Sequence, residues 1–334
     1  MKTLLYPVFA LLILAMSLPV VAQEEEAAVE IDLRPHFEEG RATRYEQWGQ
    51  HVSVTTLTAQ GQSQAVVTTI DSTSEVTWTV QSVEEDGTAV CTLETHSVEV
   101  TYALTIDDQE LMAFTISSSN PTGDMPPYDD MVRAMCGNPL TYRVKADGTV
   151  ESVSGGDAIR NLMGDNADIF PDDDELLEMG EGNTTLPGIP ETLLAGGTWT
   201  DTDQSDIKIP LVPIPFSPEP LEVPAEMTET VTYTLGEVGE IEGMRIATVS
   251  VSSESEIEED TSELPEGMPP VNTRLDSASS EGEFIFDLTR REIAAAHISN
   301  EYTVVGSLTG PDGSTLTTET TVTDTNQTLR VEEN

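Results

Sequence analysis

Lysine is nearly absent from this chain of 334 residues. After Lys2 only Lys145 and Lys208 occur, and all Lys and Arg together number 14 against 61 Asp and Glu, a net charge of −47. A surface so negative repels nucleic-acid phosphates and anionic lipid headgroups, and no nucleic-acid partner is expected. Two cysteines, Cys91 and Cys136, are too few for a disulfide-rich scaffold, and without a CxxC they build no thiolate zinc site. The four histidines (His36, His51, His96 and His297) show no metal-ligand spacing and no HExxH. No GxSxG elbow occurs, and paired carboxylates carry no information among 61 acids. The chain therefore reads as non-enzymatic, with no cofactor and no metal site. Aromatic residues are scarce too, at 5%. Apolar alternation nevertheless recurs along most of the chain, which excludes a disordered composition.

Long hydrophobic runs are lacking after residue 22, so no later segment reaches the ~20 apolar residues of a membrane span. The first 22 residues are different. Lys2 supplies a positive charge, Leu11 to Met16 form an apolar centre, Pro19 ends it, and Val20-Val21-Ala22 places small residues at a cleavage site. That is the pattern of a secretory signal peptide, and it predicts export to the periplasm or beyond. An acidic tail (23–34) follows. The negative charge fits a saline exterior, where salt screens self-repulsion. The alternative is a surface that recognises cations or basic partners.

What is abundant is threonine, serine and valine, which favours strands. The strongest internal signal is a duplication. SEVTWTVQSVEEDGTAVCTLE (74–94) matches ETVTYTLGEVGEIEGMRIATVS (229–250): Val76, Trp78, Val80 and Val83 align with Val231, Tyr233, Leu235 and Val238. After the turn, Gly87, Val90 and Leu93 align with Gly243, Ile246 and Val249. Upstream, EEGRATRY (38–45) and LAGGTWTD (194–201) each set glycine before an aromatic strand start. The expected fold is mainly β, two tandem antiparallel repeats forming a curved sheet, an open half-barrel or a barrel, with a few short helices. Repeat 1 covers 35–163, an acidic linker 164–190, and repeat 2 covers 191–334 with a proline-rich segment at 207–224. The two copies are expected to share one apolar layer.

KADGTVESVSGGDAIRNLM (145–163) is the most site-like stretch, because a strand leads through glycines into a helix. It lacks GxGxxG spacing and a GK[ST] sequence, so it reads as a hairpin turn at Ala146-Asp147-Gly148, then a short helix, and not as a phosphate loop. PPYDDMVRAMCG (126–137) predicts a helix near 127–136, opened by proline and stopped by Gly137. Cys91 shares strand parity with Leu93, and Cys136 lies on the apolar stripe of that helix. Export would permit a disulfide between them; two buried thiols is the alternative.

LRPHFEEGRATRYE after a signal peptide, then LTYRVKADGTVESVSG, then IPETLLAGGTWTD, resembles a family of exported bacterial proteins of unknown function. The resemblance implies no catalytic residues. Two-repeat curved sheets with helices on the concave side are also similar in architecture to periplasmic lipoprotein carriers and lipid-binding lipoproteins, which implies a hydrophobic concavity. The candidate lining is Trp78, Val80, Tyr102, Leu104, Met131, Met135, Tyr233, Leu235, Phe284 and Phe286. Two functions follow: a binding protein for a lipid-like molecule, or a structural envelope protein whose acidic surface meets cations or basic proteins. A void of several hundred Å3 under the helix would favour the first, and tight packing the second.

Overall fold

β-branched side chains on alternating positions pack well on a pleated surface, and this chain uses them on a large scale. The computed structural model describes residues 30–331 apart from 124, 185, 187, 191–192, 213–220, 242, 260–270 and 310–313. The first half runs β1 (Glu30–Ile31), β2 (Ala42–Ala59), β3 (Gln62–Val83), β4 (Ala89–Ile106), β5 (Gln109–Ser117), helix α1 (Pro126–Met135), β6 (Leu140–Val144), β7 (Val150–Ser154) and helix α2 (Gly156–Met163). A 3-10 turn (Gly164–Ile169) and helix α3 (Asp173–Thr184) lead into the second half. That half is β8 (Leu193–Leu194), β9 (Thr198–Val212), β10 (Leu221–Ile241), β11 (Met244–Glu259), β12 (Val271–Asp287), β13 (Glu292–Thr309) and β14 (Thr315–Val331).

One antiparallel sheet takes the order β7-β6-β4-β3-β2-β14-β13-β12-β11-β10-β9, and β5 pairs with the far half of β4. The sheet is open, with β7 and β9 at its ends, so of the expected shapes the closed barrel is ruled out. It curls enough to bring β9 back toward β13. Each half is a meander, and the halves join where β14 pairs with β2 along most of both strands. Pro210 lies on the edge strand β9, and Pro224 lies in the stretch of β10 that has not yet met β11. Both spots need no donor toward the missing neighbour. Residues 213–220 of the proline-rich segment and residues 1–22, expected as a signal peptide, lie outside the described residues.

The two aligned hairpins match bond for bond. Gly40 N–H donates to Val80 O (2.8 Å), and Val80 N–H to Arg41 O (2.9 Å). In the second half Gly196 N–H donates to Leu235 O (2.7 Å), and Leu235 N–H to Gly197 O (2.9 Å). Gly40 and Gly196 both hold positive φ, 83° and 80°, which suits glycine. Each hairpin carries a bulge just after the matched residue, Val80 in one and Leu235 in the other. Pairing corrects the second arm of the sequence alignment by two residues: Cys91 faces Val80 as Val249 faces Leu235, so Leu93 corresponds to Val251.

The core is two clusters, not one shared layer. The first holds Val80, Cys91, Tyr142, Val144, Ile159 and Leu176 under the helices, with Trp78 packed against it. The second holds Trp199, Tyr233, Leu235, Val249, Phe284 and Phe286, covered by Ile31, Leu33, Leu186 and Leu193. Different covers explain the split: helices cap one half, and the small ribbon of β1 and β8 caps the other. The expected linker 164–190 is largely helical and buries Phe170 and Leu176. Gly180, costly inside a helix, is explained by Tyr142, whose ring would stand 2.5 Å from any Cβ there.

The 145–163 stretch forms the hairpin of β6 and β7 followed by α2, with Gly148 N–H closing the turn on Lys145 O. The expected disulfide is absent: Cys91 and Cys136 are free thiols. The reason is geometric. Cys136 bridges to Thr95 of β4, four residues along from Cys91, or about 13 Å of strand. Disulfides need Cα atoms within about 7 Å.

Candidate functional site

A recess opens where the two halves meet, and one residue choice creates it. Thr43 of β2 pairs with Trp78 of β3, as Trp199 of β9 pairs with Tyr233 of β10. In the second half the pair stacks, ring centroids 5.0 Å apart and 12° between planes. The first half has a threonine in place of that ring. Trp78 stacks on its other side, against Tyr142 at 5.3 Å. The space beside it becomes a recess of about 40 Å3, walled by Phe37, Thr43, Tyr45, Trp78, Val80 and Ile293. A second recess of about 40 Å3 adjoins it, sharing Tyr45, Trp78 and Ile293 and adding Val76, Leu93 and Phe284. At 10–15 Å3 per water-sized probe, each admits about three such probes.

Farther along the same face the sheet turns polar. Ser74 donates to Gln47 (3.0 Å), His51 Nδ1 meets Asp324 (2.7 Å), and Ser280 donates to Asn300 (2.5 Å). This band bounds the apolar recesses on one side. An arginine network bounds them on the other. Arg330, its side chain 3% exposed, bonds Asp287 (2.9 Å) and Glu292 (2.8 Å) with one nitrogen and Met244 Sδ (2.9 Å) with the other. Thr43 Oγ1 donates to Glu292 (3.1 Å), and Arg41 and Arg290 stand 3.7 and 3.6 Å from the same carboxylate. Asp32 bridges Arg34 and Arg291. The Arg34 hydrogen bond holds the Asp32 carboxyl below its usual range, against the opposing pull of burial. Burial, then the Glu292 carboxylate, raises the Tyr45 phenol above its usual range.

Of the sequence candidates, Trp78, Val80 and Phe284 line the recesses. Tyr233, Leu235 and Phe286 are buried within the second cluster, and Leu235 and Phe286 are fully enclosed. Met131 and Met135 pack against the helix-covered cluster. Tyr102 stacks on Phe114 of β5 at 4.9 Å, and Leu104 is buried nearby, both on the distant half of β4. Sequence reasoning missed Tyr45, Ile293, Arg41 and Arg291. Tyr45 had a signal in the EEGRATRY block; the others become neighbours only through the pairing of β2 with β14 and β14 with β13.

Among the described residues, no helix is long and apolar enough to cross a membrane, and no group of three or more His, Cys, Asp or Glu could hold a metal ion. No family model matches the chain, and no curated protein does. Among solved structures it is similar to one described as lipid-protein interactions in lipovitellin, with TM-score 0.41 and 10% identity, over 89% of this chain and 25% of that one. It is similar more remotely to OpdQ of Pseudomonas aeruginosa, with TM-score 0.18 and 7% identity, over 87% of this chain and 98% of that one.

Proposed function

We propose that this chain is an exported, non-enzymatic binding protein built from two copies of one β unit, which grips an apolar group of a lipid-like ligand beside Trp78. The observation that carries this reading is the Thr43 position. The second half fills it with Trp199, and the first leaves it open between apolar walls. Pockets that enclose a drug-sized ligand run to roughly 300–1,000 Å3, whereas each recess offers about 40 Å3. The ligand is therefore held by a short apolar end, a narrower role than a carrier with a lipid-sized interior. Matched hairpin bonds support the duplication, and residues 1–22 support export. Native mass spectrometry of protein purified from its own host tests the reading. A bound small amphiphile is expected. Protein that is always empty, and gives no calorimetric response to octanol, would overturn it.

A second reading is an envelope interaction protein with an acidic docking surface. Its observation is that arginines are matched by acids, as in Arg44–Glu75, Arg143–Glu84 and Arg160–Asp173, which leaves the acidic surplus unneutralised. On this reading cations form a diffuse atmosphere, screened over about 8 Å at physiological salt. Pull-downs with and without high salt and calcium discriminate: partners that survive high salt reject it.

A further inference from the structure

We infer that β11 is a strand acceptor: beyond Ser253 its outer flank takes up an extended, basic segment of a partner protein as an added antiparallel strand. The inference goes beyond both readings of the function and stands on the duplication. β10 and β11 are the counterparts of β3 and β4, since Tyr233 and Leu235 match Trp78 and Val80. Counted along the same strands, Glu229 matches Ser74. Ser74 faces Val98 in one pair and Glu229 faces Ser255 in the other, so Ser255 to Glu259 correspond to Val98 to Tyr102. In the first half that stretch is bonded on both flanks. β3 takes one. On the other, Val98 O accepts from Ser118 N–H (2.9 Å), Val98 N–H donates to Ser118 Oγ (3.0 Å), and β5 pairs Ser117 to Phe114 with Glu99 to Tyr102. In the second half β10 takes one flank, and among the described residues no strand takes the other. β11 and β12 pair only from Ile246–Asp287 to Ser253–Ser280, and then they part.

Charge decides which strand fits. Beyond that parting, β9, β10 and β11 (203–212, 221–229 and 254–259) hold nine acids and a single base, Lys208. Glu254 and Glu256 lie two apart on β11, hence on one face of the sheet, and both are exposed beside the open flank. Among the described residues no ion pair joins either of them. A second copy of this chain, at net charge −47, is repelled there, as charges on an edge strand repel strands of their own kind. A strand with lysine or arginine at every second position sets its cations opposite the glutamate row. Its alternate side chains fall on the face of Ser253 and Ser255, which suits small polar residues. The facing flank, on β12, carries the exposed Arg274, already answered by Asp276 at 3.3 Å. A basic strand therefore pairs with β11 and not with β12. Main-chain hydrogen bonds supply the grip, and the side-chain row selects the partner.

Fluorescence anisotropy of the full chain with a labelled peptide of four Lys-Thr repeats, at physiological salt, tests this. The peptide should bind at least about 10-fold more tightly than four Glu-Thr repeats. Methylating its lysine amides blocks one edge of the strand, and methylating its threonine amides blocks the other, because successive N–H groups point to opposite sides. One methylated isomer should lose at least about 10-fold, and the other should stay within about 3-fold of the parent peptide. Glu254→Lys combined with Glu256→Lys should turn the preference toward the Glu-Thr peptide. Glu85→Lys combined with Glu110→Lys, the same change of charge at exposed sites in the first half, should not. Equal binding of the two isomers, or equal effects of the two protein variants, overturns strand addition in favour of a diffuse attraction to the acidic surface. No binding of the Lys-Thr peptide overturns the inference outright, as it would if residues 260–270, outside the described residues, hold that flank themselves.

Discussion

Replacing Thr43 with phenylalanine should close the recess and abolish most of its affinity without unfolding the protein. The substitution imitates the second half, where a ring already stacks at this place on Tyr233. It removes the Thr43 bond to Glu292, a charged-group hydrogen bond of about 1.5–3 kcal/mol. Against this, a new aromatic pair with Trp78 contributes about 0.5–1.5 kcal/mol. Filling the recess of about 40 Å3, at roughly 24 cal/mol per Å3, contributes about 1 kcal/mol. Stability in urea should therefore stay within about 1 kcal/mol of the parent. Binding should change far more. About three methylenes lose their site at ~0.8 kcal/mol each, or about 2.4 kcal/mol, roughly a 50-fold weaker Kd for octanol by calorimetry. A folded Thr43→Phe protein with parental affinity would refute the placement of the site.

Arg330→Met should destabilise by about 3–5 kcal/mol in urea unfolding, because Asp287 and Glu292 would lose their buried counter-charge; adding Asp287→Asn should recover part of it, and an additive double mutant would refute the coupling. Alkylation of the native protein should label Cys136 and spare Cys91, whose fully buried thiol is pushed up to about 11 by desolvation, and both should label after unfolding without reductant. Gly180→Ala should cost about 1–3 kcal/mol through its clash with the Tyr142 ring, although alanine favours helix; a gain in melting temperature would contradict that packing. Asp32 has a folded value below its reference of 3.8, so its stabilisation is present above that reference and lost as pH falls through the lowered value. Arg34→Gln should lower stability at neutral pH and make the decline below about pH 4 shallower, as measured by melting temperature against pH.

The sheet was legible because its cause is local: alternation with period two, repeated over strands as long as the 22 residues of β3, leaves little else for the chain to form. Helix α1 likewise carries its own signals, prolines at the start and Gly137 past the end. Helix α3 was obscured because Gly180 and Gly182 break the helical pattern, and only the ring of Tyr142 accounts for Gly180. The site was half visible. Setting EEGRATRY beside LAGGTWTD shows a glycine before an aromatic in both, but the pairing makes Thr43, not Tyr45, the counterpart of Trp199. A two-residue offset keeps the ring on the same face and moves it one layer along, which is what opens the recess. The arginines were beyond reach of any local pattern, since Arg41, Arg291 and Arg330 meet only through strands distant in sequence.

The pairing of β14 with β2 also dictates an order of events during biogenesis. The ribosome makes β14 last of the described strands, and its partner is the first long one. Until it arrives, β2 and β13 each show a bare flank of unpaired backbone, the kind of surface that templates misassociation. Closing so distant a contact is slow, because loop entropy must be overcome before the pairing repays it. A nascent chain therefore stays unzipped at its centre until β14 is free to pair.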